Sequence, residues 1–105
     1  MIPLKDRRIL LVGGAGFIGH NLALALAKEG AKVHVVDSLQ VNNLLNFAAT
    51  SGDNVPHRNL YFRIIQQRLE LLQEAGIPLE ILDARDYHAL SHLVTRVKPQ
   101  AVVHL

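Results

Sequence analysis

Apolar residues along this chain fall into short unbroken runs separated by stretches of helical period. Ile9 to Val12, Val33 to Val36 around His34, Leu79 to Leu82 around Glu80, and Ala101 to Leu105 are the runs. Strands buried on both faces read as continuous apolar runs, as they do in parallel sheets, so strands are expected over about Arg8–Val12, Val33–Asp37, Leu79–Leu82 and Ala101–Leu105. Between the first two, Ile18, Leu22, Ala25 and Leu26 recur at helical spacing, which predicts a helix over Phe17–Glu29 with those side chains on the sheet and Gly30 as its stop. A second stripe, Tyr61, Ile64, Ile65, Leu69, Leu72 and Ala75, lies opposite Arg63, Gln66, Gln67, Glu70, Gln73 and Glu74; it predicts a helix ending at Gly76, just before Pro78. A third helix is expected over Tyr87–Val97, where Leu90, Leu93, Val94 and Val97 pack and Asp86 caps, and Lys98-Pro99 ends it. Ser51-Gly52-Asp53-Asn54 with Pro56 marks a loop, and Leu39–Ala49 before it is a short helix or a covering loop. Alternating strands and helices imply one α/β domain over residues 1–105: a doubly wound parallel sheet, four strands in the order 3-2-1-4, right-handed crossovers, flanking helices on both sides.

At the end of the first strand stands Gly13-Gly14-Ala15-Gly16-Phe17-Ile18-Gly19, and the second strand ends on Asp37, 18 positions past Gly19. Strand, glycine turn, helix, strand and acid together form a dinucleotide-binding unit, with a physical reason for each part. Glycine at the strand end adopts angles a Cβ forbids, a central glycine lets a pyrophosphate approach, and the last lets helix and strand pack closely. The helix start then offers free N–H groups, here of Phe17 and Ile18, and the positive end of its dipole. Asp37 can accept from the ribose hydroxyls, whereas a 2′-phosphate would be repelled; Ser38 stands where an arginine would be expected for NADP, so the cofactor expected is NAD. His20 and Asn21 fall near the first turn of the helix; His20 has a functional reading as a contact to the cofactor phosphates, but a solvated helix residue is the reading preferred. A secretory-signal reading of Lys5, Arg7 and Arg8 before the apolar run is disfavoured by Asp6 and by the glycines that interrupt the would-be apolar helix.

Gly13, Gly16 and Gly19 also satisfy G-x-x-G-x-x-G. With Val-Val-Asp-Ser-Leu at 35–39, Asp83-Ala84-Arg85-Asp86 and Ala101-Val102-Val103-His104-Leu105, the chain resembles the extended short-chain dehydrogenase/reductase family, in particular its NAD-dependent nucleotide-sugar epimerases and dehydratases. Val12 departs from that family's usual threonine before the first glycine. The resemblance implies that Asp83 accepts from the adenine amino group, that Ala84 offers its backbone there and that Leu105 borders the cofactor. It also implies a catalytic Tyr-x-x-x-Lys, in which the lysine lowers the tyrosine pKa. Tyr61 is followed four positions on by Ile65 and Tyr87 by Ser91, so neither fits, and no catalytic residue is assigned. The chain matches the first third or so of such an enzyme and is expected to be inactive by itself. An apolar fourth strand at the end of the sequence is expected to leave an open edge through which the chain could self-associate.

Composition narrows the alternatives. Eleven basic and nine acidic residues give a formal charge of +2, with five aromatics, which makes no nucleic-acid surface. There is no cysteine, hence no disulfide framework or thiolate metal site, and no apolar run approaches the ~20 residues of a membrane span, so a cytoplasmic location is the default. His88 and His92 have a spacing that can chelate zinc but lack an evident third ligand, so no metal is assigned. Two rivals to the epimerase or dehydratase reading stay open: a non-catalytic dinucleotide sensor acting through the helix around Tyr61–Ala75, and a ketone or alcohol reductase of the same family.

Overall fold

A computed structural model describes residues 3–39 and 58–105. The elements are β1 (Arg8–Val12), α1 (Phe17–Lys28), β2 (Lys32–Asp37), α2 (Arg58–Glu74), β3 (Leu79–Ile81), α3 (Tyr87–Val97) and β4 (Ala101–His104). The strands form one parallel sheet in the order β3-β2-β1-β4, as expected. Residues 40–57, which include most of the expected helix or covering loop, lie outside the described residues, as does the side chain of Tyr61.

Strand pleating divides the core in two. Ile9, Leu11, Val33 and Val35 join Ala23 of α1, Leu72 of α2 and Ile77 in one cluster, while Leu10, Val12 and Val36 meet Leu93 of α3 on the opposite face. Leu10, Leu11, Val35 and Val36 are completely buried; at about 1.5–3 kcal/mol for each side chain removed from water, these positions anchor the sheet between its helices.

Helix α1 turns part of the expected face to the sheet: Leu22 and Leu26 pack on the core, whereas Ile18 and Ala25 do not. Ile18 is 70% exposed and Ala25 is exposed, while Gly19 and Ala23 are buried and Leu22, Leu26 and Ala27 pack beside them. The cause is the last glycine of the turn: a Cβ on Gly19 would lie 2.6 Å from Gly14 Cα and 2.7 Å from Gly13 O. The helix therefore sits down on Gly19 and Ala23, with Leu22 and Leu26 packing beside them and Ile18 left outside. His20 is likewise not solvated but 7% exposed.

The helix ends follow their local chemistry. Gly30 takes φ +90° after α1 and Gly76 φ +72° after α2, left-handed angles that glycine adopts without strain. Asp86 caps α3, its side chain accepting from Ala89 N–H at 3.1 Å. In α2 the stripe is buried at Ile65 and Leu72, whereas Ile64 and Ala75 are exposed.

One polar cluster interrupts the α3 side. His34 of β2 points Nε2 toward Glu80 of β3 at 3.5 Å, while Glu80 is paired with Arg96 of α3. That His34 nitrogen is buried without a hydrogen bond among the described residues. Burial pushes its pKa below the ordinary 6.5; the Glu80 charge opposes that shift and the Arg96 charge adds to it.

Candidate functional site: a cleft at the carboxyl edge

The strand register brings the site together. Val12 of β1 is level with Val36 of β2 and His104 of β4, so the chain leaves neighbouring strands at Gly13, Asp37 and Leu105. Backbone bonds extend the ladder past these ends: Gly13 N–H donates to Val36 O at 2.7 Å, Leu105 N–H to Val12 O at 2.9 Å, and Leu82 N–H to Asp37 O at 3.1 Å. The result is a cleft of about 530 Å³ across the carboxyl edge, within the usual range for small-molecule and cofactor sites.

All ten residues singled out from the sequence, Gly13, Gly16, Phe17, Ile18, Gly19, Asp37, Ser38, Asp83, Ala84 and Leu105, line this cleft. So do Val12, Val36, Leu82, Arg85 and His104, which the sequence reading did not select. Strand-end position was the available signal for Val12, Val36, Leu82 and His104, since register alone places them at the edge.

The glycines of the turn separate by what constrains them. Gly13 has φ +86°, and a Cβ there would meet Leu105 O at 3.1 Å. At Gly14 it would lie 2.7 Å from a Val35 methyl. Gly16 differs: its φ of −73° and ψ of −179° suit any residue, and a Cβ would meet nothing nearer than Gly13 O at 3.7 Å. The fold places no demand for glycine there, so the open space over Gly16 fits a group that approaches from the cleft.

Helix α1 begins on this open ground. Gly16 is its N-cap and no side chain caps it, and the N–H groups of Phe17 and Ile18 have no backbone partner among the described residues. Phe17 and Ile18 are both largely exposed, and the Arg68 guanidinium of α2 lies 5.8 Å from the Phe17 ring centroid, within cation–π range.

Asp37 is buried, 7% exposed, at the other side of the turn. Its Oδ2 accepts from Ala15 N–H at 3.0 Å and its Oδ1 from Leu39 N–H at 2.7 Å. An ionised carboxylate has about four acceptor positions, so these bonds fix its orientation and leave acceptor capacity toward the cleft. Asp83 is held by its neighbour: Arg85 donates from Nη2 at 2.7 Å and from Nε at 3.0 and 3.1 Å to the carboxylate oxygens, and its backbone N–H donates at 2.9 Å. Those bonds hold the Asp83 carboxyl at a pKa of about 2 and raise that of Arg85. Arg85 is thus solvated but tied to Asp83.

Among the described residues no group of three or more His, Cys, Asp or Glu could hold a metal ion, and no helix is long and apolar enough to cross a membrane.

A parallel sheet wound on both faces, with a glycine turn into a helix and acids at its carboxyl edge, defines a Rossmann-type dinucleotide-binding domain. Comparison with known proteins specifies the class further: residues 9–105 match the NAD-dependent epimerase/dehydratase family, and the chain belongs to it. NAD is the cofactor of that family. Among its relatives, UDP-glucose 4-epimerase 2 of Oryza sativa subsp. japonica is 32% identical over 106 residues, covering 98% of this chain and 21% of the relative. UDP-arabinose 4-epimerase 1 of Arabidopsis thaliana is 35% identical over 97 residues, covering 91% of this chain and 19% of the relative. In structure, an epimerase of Methanothermobacter thermautotrophicus matches with a TM-score of 0.62 at 25% identity, over 97% of this chain and 23% of that one. The chain spans between 11% and 25% of the length of the curated relatives it matches.

Proposed function

We propose that this chain is the NAD-binding portion of a nucleotide-sugar epimerase or dehydratase and carries no proton-transfer pair of its own. The observation that carries the reading is the open space over Gly16 beside helix N–H groups with no backbone partner among the described residues, in a cleft also lined by Asp37 and Asp83. In this reading the Phe17 and Ile18 N–H groups take the pyrophosphate, with Gly13, Gly16 and Gly19 shaping the approach. Asp37 accepts from the ribose hydroxyls, and Ser38 beside it offers no cation for a 2′-phosphate. Asp83 and the Ala84 backbone receive the adenine, and Leu105 borders the cofactor beside Gly13.

Bound NAD supplies a hydride acceptor for a sugar carbon. This chain's residues hold and orient the cofactor, and none of them moves the hydroxyl proton, since neither tyrosine is followed by lysine at the required spacing. The nucleotide-sugar substrate is supported by relatives named for UDP-glucose and UDP-arabinose. A cytoplasmic location accords with the cysteine-free sequence.

Calorimetric titration with NAD and NADP in parallel tests the proposal. NAD is expected to bind in preference to NADP; equal binding of both, or none by a folded sample, would remove Asp37 or the whole cleft from the assignment.

A further inference from the structure

We propose that His20 and Asn21 are positioning residues for phosphate binding, each clamping a carbonyl of the first helical turn so that the N–H of the same peptide faces the cleft. The proposal rests on the phosphate role assigned above to the Phe17 and Ile18 N–H groups. The Gly16 carbonyl accepts twice from His20: from its backbone N–H at 2.9 Å and from its ring at 2.9 Å through Nδ1. Because a carbonyl oxygen only accepts, Nδ1 carries the proton. One residue on, Asn21 Nδ2 donates to Phe17 O at 2.9 Å.

A trans peptide is planar, with its N–H antiparallel to its C=O, and there is no cis peptide among the described residues. Fixing the Gly16 carbonyl therefore fixes the direction of the Phe17 N–H, and fixing the Phe17 carbonyl fixes that of Ile18. A conventional N-cap side chain would use up helix N–H groups. Here the cap is glycine with no side-chain bond, and the polar side chains of the first turn reach back to carbonyls instead, leaving the donors free.

His20 has the burial such a clamp requires. It is 7% exposed and its ring centroid lies 6.0 Å from that of Phe17. Burying an imidazole beside the glycine turn is explained by the carbonyl it holds, since packing alone would favour an apolar residue. Asn21 is exposed, so its bond can be removed without disturbing the core.

The test is calorimetric titration of the full chain and of H20A, N21A, the double variant and H20S with ADP and with adenosine. Adenosine keeps the ribose and adenine contacts but has no phosphate. H20A and N21A are each expected to weaken ADP binding about tenfold, the double variant more, with adenosine unchanged. H20S should recover most of the ADP affinity, because a serine hydroxyl bonds back to the carbonyl four residues earlier. Should H20A fail to fold, N21A and H20S carry the comparison. ADP affinity unchanged in the folded variants, or ADP and adenosine weakened equally, would overturn the clamp alone. A wild-type chain that binds ADP no better than adenosine would overturn the phosphate site itself, and the clamp with it.

Discussion

Replacing Gly16 by valine separates what the glycine turn does for the fold from what it does for a ligand. At φ −73° and ψ −179° the backbone accepts a β-branched residue, and the nearest neighbour of an added Cβ is 3.7 Å away, an ordinary contact. The conformational gain of removing a glycine, about 0.4–1 kcal/mol, is offset by the poorer capping of a non-polar residue at a helix start, roughly 1 kcal/mol. Stability should therefore stay within about 1 kcal/mol of wild type. On the phosphate role proposed for the Phe17 and Ile18 N–H groups, however, the methyl groups would stand in the path of the phosphate. Hydrogen bonds to a charged group are worth about 1.5–3 kcal/mol each, so losing both costs about 3 kcal/mol or more, roughly 100-fold or more in affinity. Gly19→Ala is the opposite control: its Cβ would lie 2.6 Å from Gly14 Cα and 2.7 Å from Gly13 O, a backbone clash costing about 1–3 kcal/mol of stability. Thermal melts and NAD titrations of both variants read the two effects apart. A folded Gly16→Val that binds NAD normally would refute the phosphate assignment.

Asp37→Ala should weaken NAD binding by about 1.5–3 kcal/mol and also lower the melting temperature, because it orphans the Ala15 and Leu39 N–H groups; unchanged NAD affinity would remove Asp37 from the site. For His34 the folded pKa lies below 6.5, so the unfolded chain binds more protons between those values and stability falls as pH drops below about 6.5. The wild-type melting temperature should decline more steeply from pH 7 to pH 5 than that of His34→Gln, and parallel declines would contradict the assigned burial effect. Among the described residues β4 is paired only with β1, and Val102 on it is exposed, so sedimentation should detect concentration-dependent self-association that Val102→Lys reduces; a monomer at every concentration would argue against an adhesive edge.

The strands were readable because parallel strands read as apolar runs: those at Ile9 and Val33 are buried in the sheet, and those at Leu79 and Ala101 keep the pattern at its edges although partly buried or exposed. The cleft was readable because the pattern of glycines and acids marks where those runs end. The face of α1 was readable only in part: Leu22 and Leu26 pack as their period implies, but Gly19 and Ala23 hold the centre of the contact in place of Ile18 and Ala25, because hydropathy gives a glycine packed against backbone no weight. His20 escaped for a related reason, since its burial follows from a carbonyl whose direction depends on the turn having formed. The pairing of Arg85 with Asp83 was not legible, because nothing in the spacing distinguishes a residue that pairs two positions back from one that points to water.

Asp37 shows why the legible and illegible parts meet at one place. Its carboxylate holds the Ala15 N–H of the turn and the Leu39 N–H at the start of the next connection, so the group expected to recognise ribose also ties β2 to the glycine loop. A cofactor that bonds this carboxylate meets an acceptor already fixed in direction, and little side-chain freedom remains to be lost on binding. The same economy makes the site fragile, because a substitution at Asp37 removes recognition and support together. Gly16 has no such double role, which makes it the position where a binding defect can be read without a folding defect beside it.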